Sequence, residues 1–204
     1  FTKRGLNKKD IIAVTMSGFG SSDRTKNNAR ELIKALGVTN VDISIADAVT
    51  AHLKDIGHGG KKDVVYENAQ ARERAQILLD LSNARGALLL GTGDLSEIAL
   101  GWSTYGGDQL AQFNPNSSAT KTLIRAVMRN YCLTTANADA ARIINDVLAT
   151  PVSPELIAGQ VTEDVLGPYE LHDFYLYNFI FKGFSAEKTV YLAQKAFPDF
   201  TRKT

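Results

Sequence analysis

The 204 residues hold one cysteine, three histidines and five prolines, and each scarcity removes a class of protein from consideration. The lone Cys132 excludes an internal disulfide and fits a reducing, cytoplasmic setting. His52, His58 and His172 show no zinc-ligand spacing, so no transition-metal site is expected. There is no Gly-x-Ser-x-Gly elbow, and Cys132 falls mid-helix among apolar neighbours, where it reads as core; a covalent triad finds no support. No apolar run approaches the ~20 residues that cross a bilayer, and the amino end is polar rather than signal-like, so a soluble chain with no membrane partner is expected. With 23 basic against 22 acidic side chains the net charge is +1, and no overall field draws nucleic acid. The cluster Lys3, Arg4, Lys8 and Lys9 reads as a solvated edge.

A hydrophobic content of 44% supplies a real core for one domain. The chain begins with Phe1 and leads straight towards a strand, which reads as an internal piece of a longer polypeptide. The β-branched run 11–16 ends at the turn 17–22, after which Asp23 can cap a helix to Leu36 that Gly37 closes. A strand at 41–45, a helix at 47–55, a glycine-rich loop at 57–62, a long helix at 64–82 and an apolar strand at 87–90 follow. Alternating strands and helices with fully apolar strands predict an α/β fold, a parallel sheet flanked by helices on both faces. Ligands then bind at the carboxyl ends of the strands, where the turns 17–22 and 91–94 meet. From Asn116 the pattern is helical, at 119–133, 138–149, 168–181 and 186–197, with Ser118, Asn137 and Ser185 in capping positions. Residues 1–115 thus read as the α/β nucleotide-binding part and 116–204 as a mainly helical part that packs on the sheet and on a neighbouring subunit.

The stretch from Leu88 to Trp102 carries the most chemistry, because an apolar run passes through Gly91-Thr-Gly-Asp94 into a helix start. Glycines admit a ligand to the backbone, and free N–H groups at a helix start favour phosphate or carboxylate. Asp94 and Glu97 oppose a bare phosphate, which makes a divalent cation plausible between them and a nucleotide. The same pair also reads as a capping box that needs no ligand. Gly18-Phe-Gly20-Ser-Ser-Asp23 is a poor dinucleotide fingerprint, and no Walker motif is present. Lys121 lies near a helix start, where a cation opposes the macrodipole by roughly 0.3–1 kcal/mol. Either a phosphate held by Lys121, nearby hydroxyls and free N–H groups offsets that cost, or the side chain points into solvent. Asn68 and Arg72 share one helix face, with Glu67, Gln70, Glu73 and Arg74 elsewhere on it; the helix reads as solvated surface or as a polar recognition face. Pro151 and Pro154 either fix the direction of Ser153 or end the preceding helix.

As a set, Tyr66-Glu-Asn-Ala-Gln-Ala-Arg-Glu-Arg74, the Gly91-to-Trp102 stretch, Pro151-Val-Ser-Pro-Glu-Leu156 and Gly167-Pro-Tyr-Glu-Leu-His-Asp-Phe174 resemble the synthetase domain of NAD synthetase, in its glutamine-dependent form. The resemblance implies an adenine nucleotide α-hydrolase-like fold and a carbon–nitrogen ligase. Such an enzyme activates nicotinic acid adenine dinucleotide (deamido-NAD) with ATP through an acyl adenylate, releases pyrophosphate, and lets ammonia displace AMP to give NAD. It further implies ATP contacts at Thr92, Lys121 and Ser153. Deamido-NAD contacts fall at Asn68, Arg72, Glu97, Trp102, Ser103, Thr104 and Tyr105, with Mg2+ on Glu97. The turn from Gly18 to Arg24 would lie near the adenine. Family partners are the small-molecule substrates, a second subunit bound through helices, and a glutaminase domain in the full-length chain. The family's Ser-Gly-Gly-x-Asp-Ser loop would precede residue 1 and its basic carboxyl-terminal segment would follow Thr204, so the 204 residues alone are expected to be inactive. A non-catalytic adenine-nucleotide-binding module is the alternative reading of the same turns.

Overall fold

Two strands, β1 (Ile12–Ser17) and β2 (Thr39–Ser44), pair in parallel with Ile12 opposite Thr39 and Ser17 opposite Ser44. They form the sheet of a computed structural model that describes Gly5, residues 7–153, Leu156, Ile157, Gly159 and residues 161–198. Lys3, Arg4, Pro154 and Glu155 lie outside the described residues; Lys8 and Lys9 are exposed, as a solvated edge requires. Between the strands runs α1 (Asp23–Leu36), and β2 leads into α2 (Ala46–Asp55) and α3 (Val64–Arg85). A short α4 (Leu95–Leu100) follows the Gly91 turn. The rest is helical: α5 (Lys121–Thr134), α6 (Ala138–Ala149), α7 (Thr162–Leu166), α8 (Tyr169–Leu176) and α9 (Ala186–Ala196). No described helix is long and apolar enough to cross a membrane.

The helix ends follow local chemistry. Asn137 and Ser185 accept from the third backbone N–H of α6 and α9, as their positions predict. Ser22 rather than Asp23 caps α1, and Thr120 rather than Ser118 caps α5, each a hydroxyl in extended backbone immediately before the first helical residue. Gly37, at φ 72°, closes α1 in the left-handed region where a side chain would clash. The helix expected over 168–181 stops at Leu176 and continues as a π-turn, Tyr177–Phe181.

Two expectations about the sheet need correction. The run 87–90 is not a strand of this sheet: it makes one isolated parallel bridge, Leu90 to Phe113, with Leu88 and Leu90 both exposed. Its backbone bonds go to the segment before Pro115, and a residue without an N–H cannot extend that ladder. Nor is β2 covered on both faces, since Asn40, Asp42 and Ser44 alternate outward as on a one-sided strand. The buried cluster of Ile45, Val49, Leu53, Tyr66 and Ala69, joined by Met16 and Ile77, lies where β1, α2 and α3 meet. Cys132 is half-buried rather than core.

Polar contacts fasten the helical half to α1. Arg24 Nη2 lies 2.5 Å from Asp146 Oδ1, and Asn28 Nδ2 donates to Asp146 Oδ2 at 2.6 Å. The Arg24 hydrogen bond, then that of Asn28, hold the Asp146 carboxyl at about 2, below its ordinary 3.8. A carboxylate depressed on folding stabilises above its unfolded pKa and loses that contribution as pH falls through the folded value. Stability is therefore expected to decline between about pH 4 and pH 2, and acid denaturation followed by circular dichroism should show Asp146→Asn with a flatter slope there. Identical slopes would remove Asp146 from the link between α1 and α6.

Candidate functional site

The turn before α4 is tight on one side and open on the other. Gly91 N donates to Phe113 O at 2.8 Å, and a Cβ at Gly91 would stand 1.9 Å from Asn114 Oδ1 and 2.7 Å from Ala111 Cβ. A Cβ at Gly93 would meet nothing within 4 Å. Asp94, almost wholly buried, accepts from Glu97 N at 2.9 Å while Glu97 Oε2 accepts from Asp94 N at 3.3 Å, completing the capping box.

The box does not exclude a further role, because both carboxylates also hold Lys121. Its Nζ lies 2.7 Å from Asp94 Oδ2 and 2.9 Å from Glu97 Oε1, and 5.1 Å from the centre of the Tyr169 ring. With 15% of its side chain exposed, Lys121 does not point into solvent. Burial pulls the Lys121 pKa down, but hydrogen bonds and charge from Asp94 and Glu97 outweigh it and the net shift is upward. Tyr169 is buried, and its hydroxyl has no hydrogen-bond partner among the described residues; burial is the main cause that pushes its pKa up to about 12, with Lys121 working against it and Glu97, Asp94 and Glu163 adding to it.

The expectation of free N–H groups at the start of α5 as an anion cradle needs correction. At α5, Lys121 N donates to Ser96 Oγ (2.9 Å), Thr122 N to Asp173 Oδ2 (2.8 Å) and Leu123 N to Thr120 Oγ1 (3.3 Å). At α4, the amides of Asp94 and Glu97 serve the capping box and Leu95 N donates to Ala119 O. The cationic handle at this junction is therefore the Lys121 ammonium rather than the α5 backbone.

A second group of residues adjoins the first. Trp102 N donates to Glu97 O at 2.9 Å, so the stretch from Trp102 to Tyr105 leaves directly from α4. Arg72 donates through Nε and Nη2 to Tyr105 O at 3.0 and 2.9 Å, with its guanidinium 5.8 Å from that ring centre. Thr104 N donates to Asp108 Oδ1, Ser103 is exposed, and the Tyr105 side chain is 83% exposed. Asn68 is half-buried one turn before Arg72, and Thr92 is exposed two residues before Asp94; no hydrogen bond among the described residues links either to this set. Ser153 stands half-buried in the loop after α6, where Val152 O accepts from Thr162 N.

Sequence reasoning missed three residues. Gln70, treated as helix surface, is fully buried: Oε1 accepts from Phe19 N (3.1 Å), and Nε2 donates to Tyr66 O (3.3 Å) and Leu156 O (2.9 Å). It joins the Gly18 turn, α3 and the loop of the 150s. Beside it, a Cβ at Gly18 would sit 2.8 Å from Gln70 Oε1 and 3.2 Å from Ile45 Cδ1. Gly18→Ala is expected to cost about 1–3 kcal/mol by overpacking, read by urea denaturation; a variant as stable as the parent would mean that Gln70 is free to move. Ser96 and Asp173, both buried, were likewise passed over. One signal was available for Asp173, an acid set between Leu171, Phe174 and Leu176.

A family model described as NAD synthase matches residues 1–201. This chain belongs to that family. Among curated relatives, the glutamine-dependent NAD(+) synthetase of Mycobacterium leprae is 41% identical over 210 residues, covering 97% of this chain and 31% of its own length. The chain thus spans about a third of the length of that relative. NMN synthetase from Francisella tularensis superposes with a TM-score of 0.70 at 23% identity, covering 95% of this chain and 74% of that one. The glutamine-dependent NAD+ synthetase of Acinetobacter baumannii, solved with ADP bound, gives 0.60 at 26% identity over 87% of this chain and 31% of that one. A parallel sheet flanked by helices, with a helix-rich second half, is the NAD synthetase fold these structures share.

Proposed function

We propose that this chain provides the synthetase site for ATP-dependent amidation of deamido-NAD to NAD. The observation that carries the reading is the Lys121 ammonium held by Asp94 and Glu97 beside the open face of Gly93, in a chain of this family. A carboxylate oxygen of the nicotinic acid ring attacks the α-phosphorus of ATP and pyrophosphate leaves. Ammonia then attacks the acyl carbon, and AMP departs with the carboxylate oxygen. Neither step needs a protein nucleophile; both need alignment and a cation against developing negative charge.

In this reading Thr92, Lys121 and Ser153 contact ATP. Asn68, Arg72, Glu97 and the stretch Trp102, Ser103, Thr104 and Tyr105 contact deamido-NAD, the exposed Tyr105 ring and the Arg72 guanidinium offering a stacking face. Among the described residues no three His, Cys, Asp or Glu side chains cluster as a metal site. Mg2+ commonly takes one or two protein carboxylates with phosphate oxygens and water, a donor set that Glu97 fits; when bound it would neutralise triphosphate charge. The ADP complex of the Acinetobacter relative supports an adenine nucleotide as ligand. In the whole protein a glutaminase domain would deliver ammonia, as the name of the matched relatives implies, and the reaction would run in the cytoplasm.

A homo-oligomer formed through the helical half is part of the same reading, supported by the exposed Leu123, Val127, Tyr177 and Phe181. Val127→Asp should shift the intact protein towards monomer in sedimentation velocity; an unchanged sedimentation coefficient would remove α5 from the interface. Chemistry is tested with deamido-NAD labelled with 18O in its carboxylate, ATP, Mg2+ and ammonia on the intact protein. The label should appear in AMP, one oxygen per NAD formed. Nucleotide binding with no labelled AMP would favour the non-catalytic module.

A further inference from the structure

Lys121 reaches its two carboxylates because the helix that bears it is clamped at its first residues. The clamp is a relay of three hydrogen bonds across three elements. Ser96 Oγ, in α4, donates to Asp173 Oδ1 at 2.5 Å and accepts from Lys121 N at 2.9 Å, and Asp173 Oδ2, in α8, accepts from Thr122 N at 2.8 Å. Ser96 is fully buried and Asp173 is 5% exposed, so water cannot substitute for either partner. The carboxylate faces the amino-terminal end of α5, where its Oδ2 accepts from Thr122 N. Asp173 touches none of the charged side chains that the proposed site uses, yet it fixes the backbone from which the Lys121 side chain leaves.

Resting on the function proposed above, we infer that Asp173 is a positioning residue: through Ser96 and the first amides of α5 it sets the Lys121 ammonium for the triphosphate. A carboxylate that only stabilised the core would weaken every ligand alike when changed. One that acts through Lys121 should weaken ATP and leave deamido-NAD alone. Its effect should also vanish once Lys121 is gone, because residues acting as a unit are not additive.

The test is a double-variant cycle on the intact protein, with Mg·ATP and deamido-NAD titrated calorimetrically. Asp173→Asn is expected to raise the Kd for Mg·ATP about 10-fold and Lys121→Ala about 100-fold, while the double variant binds no more weakly than Lys121→Ala alone. Deamido-NAD should bind Asp173→Asn within about twofold of the parent. Multiplied factors in the double variant, or equal losses for both ligands, would overturn the inference while leaving Lys121 as the ATP contact. Undiminished ATP binding by Lys121→Ala would overturn the reading of Lys121 and the inference with it. Should Asp173→Asn fail to fold, Ser96→Ala breaks the relay but keeps the Asp173 to Thr122 bond. It should raise the Mg·ATP Kd about threefold in the parent and not at all beside Lys121→Ala; a threefold loss in both backgrounds would overturn the inference.

Discussion

Lys121→Ala should raise the Kd for Mg·ATP by about two orders of magnitude, and it should also destabilise the fold by about 3 kcal/mol, since removing one partner of a buried ion pair strands the other. The stranded group is Asp94, whose side chain is 3% exposed; Glu97, at 28%, recovers water more readily. The two effects have different causes and can be separated. Adding Asp94→Asn to Lys121→Ala removes the stranded charge yet keeps a competent helix cap. The pair should therefore regain most of the stability measured by urea denaturation and none of the nucleotide affinity measured by calorimetry. Recovery of both would mean that the single variant bound poorly only because it unfolded.

The two glycines of the Gly91-Thr-Gly93 turn should respond to alanine in opposite ways. At Gly91 a methyl group collides with Ala111 Cβ and with the buried Oδ1 atom of Asn114, and the alanine neighbour cannot yield without moving backbone. Gly91→Ala should cost about 2–3 kcal/mol by overpacking. At Gly93 the space is open, and the variant should keep its stability within about 0.5 kcal/mol. Its methyl group would instead stand where a ligand approaches the backbone beside Asp94, so its Mg·ATP Kd should rise about 10-fold. Normal ATP binding by Gly93→Ala would place the nucleotide away from this turn.

Features that depend on a few adjacent residues were legible in the sequence. The Asp94 and Glu97 capping box, the caps at Asn137 and Ser185 and the closure of α1 by Gly37 are local, and each stands as read. Lys121 drew notice for a local reason too, a cation where the helix dipole disfavours one. What could not be read depends on distant partners. Leu88 to Leu90 has the composition of a buried strand, but Phe113 is its bridge partner, and Leu88 and Leu90 are exposed. Gln70 reads as surface until Phe19 and Leu156, 51 and 86 positions away, close around it. Ser96 and Asp173 are 77 positions apart, and nothing in either neighbourhood announces the other. The first two amides of α5 read as free for the same reason, since their acceptors come from α4 and α8.

A crystal structure of the intact protein with Mg2+ and a non-hydrolysable ATP analogue would examine the site itself. The triphosphate should lie within hydrogen-bond reach of Lys121 Nζ, over the open face of Gly93, with Thr92 and Ser153 beside it and Glu97 at the metal. A nucleotide seated elsewhere, with Lys121 still bound to Asp94 and Glu97 and no phosphate near it, would contradict the assignment.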